Sequence, residues 1–187
     1  MNPVPLTSLW IPVLLSAVVV FLASSIVHML LTYHRTDFGK LPSEAEISDS
    51  LRRFNLPPGD YIMPHCSSPA EMKTPEFKEK WQKGPRMIVT VWGGGSMAMG
   101  SQLVQWFLFC VVVSLFAGYL TSRAVDAGAE YLRVSQIAST TAFIGYAMGQ
   151  WPNVIWYKRS ASTAIKGTID GLIYGLLTGG VFGWLWP

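Results

Sequence analysis

Asp170 is the one acid in a mostly apolar stretch running from Thr163 to Trp186, and an acid there needs a chemical reason. A carboxylate at the centre of a membrane helix costs about 2.5 to 3.5 kcal/mol and is tolerated mainly when it faces the protein interior or water. Asp170 follows Lys166 by only about one helical turn, which puts it near the boundary of the stretch and lowers that cost. Depth counting from the ends of the first and last apolar stretches brings His28 to the same level, with Gln102, Gln105 and Gln150 near the same boundary. We therefore expect a polar intramembrane cluster of Asp170, His28, Gln105 and Gln150, satisfying groups that lipid cannot. Two roles stay open for it: structural hydrogen bonding, or a site for a proton, an ion or a ligand.

Other residue types with chemical potential lead less far. Met63-Pro64-His65-Cys66 offers soft donors, but three within four residues make no tetrahedral site without partners, and His34 and Met72 are the nearby candidates. No metal site is expected, with His65 and Cys66 the residual candidates. Gly93-Gly94-Gly95-Ser96 lacks the Gly-Lys-Ser/Thr ending of a phosphate cradle and reads as a flexible turn. The sequence holds no Ser/His/Asp set, paired catalytic carboxylates or haem-attachment motif. It predicts no catalytic residues, no enzyme and no cofactor. Cys66 in a polar segment and Cys110 in an apolar run are not expected to form a disulfide.

The elements that must position these groups follow from composition. The 187 residues are 50% hydrophobic and 13% charged, about half the usual charge of a water-soluble domain. Of the 25 charged side chains, 17 fall between Arg35 and Arg86. A net charge of +3, scattered along the chain, argues against nucleic acid as a partner. Spanning about 30 Å of hydrocarbon takes about 20 mostly apolar residues in a helix. Four stretches qualify: Leu6 to Tyr33, with Pro12 in its opening turns, Ser101 to Thr121, Val134 to Trp151 and Thr163 to Trp186. The third is diluted by Ser135, Gln136, Ser139, Thr140 and Thr141. The first has no basic residue before it and no small-residue cleavage pattern, so it is expected to be a retained anchor.

Lys and Arg set the orientation. Nine lie between the first two stretches, and Lys158, Arg159 and Lys166 lie at the connection of the last two, against only Arg123 and Arg133 on the other side. Basic residues resist translocation, so the twelve-residue side is expected in the cytoplasm and both termini outside. The fold class expected is all-α integral membrane: four transmembrane helices with a small mixed α/β cytoplasmic loop subdomain between helices 1 and 2. Its parts are residues 1–33 (helix 1), 34–100 (loop subdomain) and 101–187 (a three-helix transmembrane region). In the loop, Ser43 and Glu46 predict a capping box opening a helix whose face is Ile47, Leu51 and Phe54, ended by Asn55 and Pro57-Pro58-Gly59. Thr74-Pro75 predicts a second helix that stops before Gly84-Pro85, with Phe77 and Trp81 on one face. Tyr61 to Met63 and Met87 to Trp92 are candidate paired strands.

Gly167, Gly171, Gly175, Gly179 and Gly183 recur every four residues, so one edge of the last helix carries no side chains and admits a close neighbour. Ala138, Ala142, Gly145 and Gly149 are the matching edge expected on the third helix.

The ending Ile169-Asp170-Gly171-Leu172-Ile173-Tyr174-Gly175, continuing to Trp184-Leu185-Trp186-Pro187, resembles that of a family of small uncharacterised bacterial polytopic inner-membrane proteins. Leu56-Pro57-Pro58-Gly59-Asp60-Tyr61 through Pro64 and Cys66, then Gly84-Pro85, is similar to theirs as well. The resemblance covers most of the chain. It implies a four-span unit in the bacterial cytoplasmic (inner) membrane with a recurring Asp-Gly-x-x-Tyr-Gly helix, and implies no activity. The expectation is a non-enzymatic accessory or structural subunit of a membrane assembly, bound to the lipid bilayer as a homo-oligomer or within a larger complex. The alternative is a small transporter, channel or ligand sensor using the polar cluster.

Overall fold

The computed structural model describes residues 4–95 and 98–187. Ser96, at the end of the glycine run, lies outside the described residues. The chain is mostly helical, with one small two-stranded sheet, and it divides into two compact units, 40–97 and the remainder.

The larger unit joins residues 1–39 to 98–187. Its first helix opens with a 3-10 turn, Leu6–Leu9, continues as α1 (Trp10–Ser25) and ends in a π-helical turn, Ile26–Leu30, closed by Leu31 N–H donating to Ile26 O at 3.2 Å. Pro12 sits in the opening turns of α1, where helices accept proline. The chain then leaves the helix, so Tyr33 belongs to a separate 3-10 turn, Tyr33–Thr36, and not to the apolar span. The other apolar stretches become α4 (Gly100–Ala124), α5 (Tyr131–Ala147) and α7 (Ala161–Trp184). A 3-10 turn, Met148–Gln150, and the short helix α6 (Trp151–Tyr157) link the last two.

Helices α1, α4 and α7 carry large apolar side chains on their exposed as well as their buried faces. Leu9, Val13, Ala117, Val134, Ala138 and Phe182 form one buried cluster, and Ala17, Val20, Cys110 and Tyr174 another. Leu14, Leu22, Leu108, Phe116, Ile169 and Leu176 are nonetheless exposed. A helix that is apolar all round suits a non-aqueous surrounding. Leu6–Leu30 and Gly100–Ala124 are each long and apolar enough to cross a membrane. At the far end, Gly128 N–H donates to Pro187 O and Trp186 Nε1 donates to Asp126 O, tying the carboxyl end to the α4–α5 turn.

The glycine edge of α7 is packed against α5, but not against the edge expected. A methyl at Gly171 would stand 2.8 Å from Ala147 Cβ, and one at Gly175 2.9 Å from Ser139 O. Gly179 and Gly183 likewise abut Ser135, Ser139 and Tyr131, and Gly167 abuts Gln150. The partner edge is thus Tyr131, Ser135, Ser139, Phe143 and Ala147, and Ser135 Oγ donates to Gly179 O at 2.9 Å. Ala138 lies in the first buried cluster, Gly145 faces Val113 of α4, and Gly149 faces open space. The reason is azimuthal: the observed edge lies beside the expected one, and its Ser135 can bond the α7 backbone where an alanine cannot.

The second unit holds α2 (Glu44–Arg52), β1 (Gly59–Met63), α3 (Pro75–Lys83) and β2 (Met87–Val91). The strands pair antiparallel with Tyr61 opposite Val89, and Thr90 Oγ1 donates to Asp60 Oδ1 at 2.7 Å. Thr74 caps α3 as expected, its Oγ1 accepting Phe77 N–H, and Phe77 is buried with its ring 6.0 Å from that of Trp81. The capping box at Ser43 does not form. Ser43 is left-handed (φ 50°, ψ 42°), whereas a side-chain N-cap needs extended dihedrals, so only its carbonyl joins α2, accepting Ile47 N–H at 3.1 Å. The α2 face is also open: Leu51 and Phe54 are exposed, and Phe54 falls beyond the helix end. Asn55, at φ 44°, turns the chain away as its residue type suggests.

Candidate functional site

The site sits where the segment following the first helix meets the start of α7. Ser160 caps α7, its Oγ accepting Thr163 N–H. Lys166 and Asp170, four residues apart, share a face of that helix. The Tyr33–Thr36 turn supplies Tyr33 and His34, and Asp37 follows it. Lys166 Nζ donates at 2.8 Å to each of Tyr33 O, Thr36 Oγ1 and Asp37 Oδ1, so all three ammonium protons have partners. Tyr33 OH donates to Lys166 O at 2.9 Å and lies 3.3 Å from Asp170 Oδ1.

His34 is the keystone. Its Nδ1 lies 2.6 Å from Asp37 Oδ2 and its Nε2 lies 2.8 Å from Asp170 Oδ2. Two carboxylates can both accept from one imidazole only when both ring nitrogens carry protons. In that state Lys166 and His34 together balance Asp37 and Asp170. Side-chain exposures of 14% for His34, 5% for Asp170, 11% for Asp37 and 15% for Lys166 place the network largely out of water, where such pairing is obligatory.

The hydrogen bond from Lys166, with those from and the charge of His34, holds the Asp37 carboxyl below its ordinary value in spite of burial. Burial, then the charge of Asp170, pushes the Tyr33 phenol up to about 12. Tyr33 therefore acts as a neutral donor.

His28 joins through its ring. It stacks on His34 with centroids 4.3 Å apart and planes 8° apart. A carbonyl can only accept, so the 3.0 Å contact of His28 Nδ1 with Ser24 O makes Nδ1 the donor and leaves Nε2 with a lone pair when the ring is neutral. Trp106 Nε1 donates to Ser24 Oγ on the same turn.

Asp170 and His28 thus come together as expected, but the glutamines do not complete the set. Gln105 is exposed on α4, and the residue turned inward at that level is its neighbour Trp106. Successive helical residues point about 100° apart, and depth counting fixes level but not direction. Gln150 packs against Gly167 and lines a cleft of about 390 Å³ with Asp37, Asn153, Arg159 and Thr163. Gln102 lines a separate groove with His28 and Trp106. Sequence reasoning missed Tyr33, Asp37 and Lys166 and considered His34 only as a metal donor. The signals present were His-x-x-Asp at 34–37 and Lys-x-x-x-Asp at 166–170.

Among the described residues, the His, Cys, Asp and Glu donors close enough to share an ion are those of His28, His34 and Asp170. In the loop, His65 is exposed and the Cys66 thiol donates to Ser68 O. One turn deeper than Asp170, the Tyr174 hydroxyl is buried without a hydrogen-bond partner among the described residues, as is that of Ser16.

Searches against protein-family models, curated proteins and solved structures return no match.

Proposed function

We propose that this protein is a four-span component of the bacterial inner membrane, with both termini outside and the 40–97 unit in the cytoplasm, serving as a non-enzymatic accessory or structural subunit. The observation that carries the reading is the closed network at His34, whose two ring nitrogens meet Asp37 and Asp170 while Lys166 holds Asp37. Such a network works as a clasp between the end of the first span and the start of the last. Helices apolar on their outer faces, with α5 and α7 in backbone contact along the glycine edge, suit a scaffold held in lipid or against other membrane subunits.

One observation favours a second reading, a ligand sensor or small transporter: His28 Nε2 stands beside the network without a hydrogen bond among the described residues. Native mass spectrometry after extraction in mild detergent separates the two. A stable heteromeric complex is expected for the accessory subunit, and a lone symmetric oligomer that takes up a small ligand would overturn it.

A further inference from the structure

We propose that His28, His34 and Asp170 form a binding site for a divalent transition-metal ion of the zinc class, with the fourth coordination position left to water. One donor atom from each residue lies within 4.8 Å of the other two. A tetrahedral ion bound at about 2.0–2.1 Å sets neighbouring donors about 3.3 Å apart, so the widest pair needs to close by up to about 1.5 Å.

The hydrogen bonds around the two imidazoles are those that orient metal ligands. A ligating histidine generally donates its other ring N–H to a carboxylate or a backbone carbonyl, which fixes the tautomer and aims the ligating nitrogen. Here both rings do so through Nδ1, His28 to Ser24 O and His34 to Asp37 Oδ2. Asp37 is itself held by Lys166, so the His34 orienting bond is anchored in turn. That leaves His28 Nε2 for the ion, together with His34 Nε2 and Asp170 Oδ2, whose 2.8 Å hydrogen bond the ion would replace.

The stacked rings show what must move. Parallel imidazoles keep their in-plane lone pairs in separate parallel planes, so one ring has to turn out of the stack for both to reach a single ion. His28 is placed to do so: it is exposed, and it lies on the π-helical turn Ile26–Leu30, a local departure from α geometry of the kind found at functional sites. Binding replaces the proton on His34 Nε2 with the metal and releases it to solvent. His34 then stays neutral, with Nδ1–H still bonded to Asp37, and no redox partner is required. The donor set of two imidazoles and one carboxylate suits zinc, cobalt(II) or nickel(II) over magnesium or calcium.

The test uses the full chain purified in detergent and stripped with a chelator. Titration with Zn²⁺ alone by calorimetry, and with Co²⁺ alone by visible absorption, is expected to show one saturable site per chain, with heats in different buffers reporting proton release. His28→Ala, which leaves the Asp37–His34–Asp170 bonds in place, is expected to weaken binding by about 100-fold or more, and Asp37→Asn by about 10-fold. Should His28→Ala not fold, His28→Asn, whose amide can still donate to Ser24 O, carries the same expectation. A double substitution of His65 and Cys66 is expected to leave binding unchanged. Absence of a saturable site, unchanged affinity in the His28 variants, or loss of binding with the loop substitutions would overturn the proposal. Each readout is independent of any accessory role.

Discussion

Asp170→Asn isolates the ionic part of the clasp, because asparagine keeps the shape of the side chain and one acceptor oxygen. In the native protein, Asp170 Oδ2 receives His34 Nε2 at 2.8 Å, with Asp170 only 4% exposed. Opposite charges 4 Å apart attract by about 4 kcal/mol at an effective dielectric of about 20, and desolvation offsets part of that. Removing one partner of a buried pair costs about 3 to 5 kcal/mol, because the other charge stays behind. The oxygen retained by asparagine brings the expected loss down to about 2 to 3 kcal/mol, the range of a hydrogen bond to a charged group. By the scaling of soluble chains of this length, this lowers the melting temperature in detergent by roughly 5 to 10 °C. A double-mutant cycle with His34→Ala is the assay, read by thermal melts and by SDS unfolding in mixed micelles. It is expected to give a coupling energy near 2 kcal/mol. The exposed Arg52–Asp49 pair, broken in the same background, is expected to change nothing measurable. A coupling energy under about 0.5 kcal/mol would refute the clasp.

The remaining expectations come from other parts of the fold. Gly175→Ala places a methyl 2.9 Å from Ser139 O and 3.1 Å from Phe143 N, both backbone atoms; it is expected to cost about 1 to 3 kcal/mol and lower the melting temperature, whereas Gly149→Ala meets no atom and should be silent. Because the Asp37 carboxyl is held below its ordinary 3.8, its contribution to stability is present above that pH and fades as pH falls through the lowered value; a melt series is expected to show this loss, and Asp37→Asn to flatten it. Tyr33 has the opposite sign: the folded chain keeps the proton up to about 12 and the unfolded chain releases it near 10, so its contribution drains away as pH rises between the two and is absent in Tyr33→Phe. Tyr174→Phe removes a buried hydroxyl with no partner among the described residues, and the melt is expected to stay level or rise.

The four apolar stretches were legible because length and hydropathy are summed over some twenty residues, and each is helical within a few residues of the expected bounds. Local chemistry at Thr74-Pro75 was legible too, since that cap depends only on neighbours three residues away. Direction around a helix was not. Gln105 and Trp106 share a depth but differ in azimuth, and the α5 edge facing the glycines was missed by one or two positions for the same reason. His34 and Asp37 were hidden because they fall after the span, in a polar segment read as loop. The chain instead folds residues 34–39 back into the helical unit, where Lys166 anchors them. Ser43 shows the limit of a short motif, since a single left-handed residue voids the capping box.

The claim beneath all of this is that oily helices cross the bilayer with the polar segment on the basic, inner side. Cys66, partly exposed in the second unit, can be challenged in intact cells with a membrane-impermeant thiol reagent, while Cys110 is buried. Ala127→Cys, in the exposed turn after α4, provides the opposite side. Labelling of Cys66 only after permeabilisation, with the thiol introduced by Ala127→Cys labelled in intact cells, is the predicted result; a labelled Cys66 in intact cells contradicts the assignment of sides.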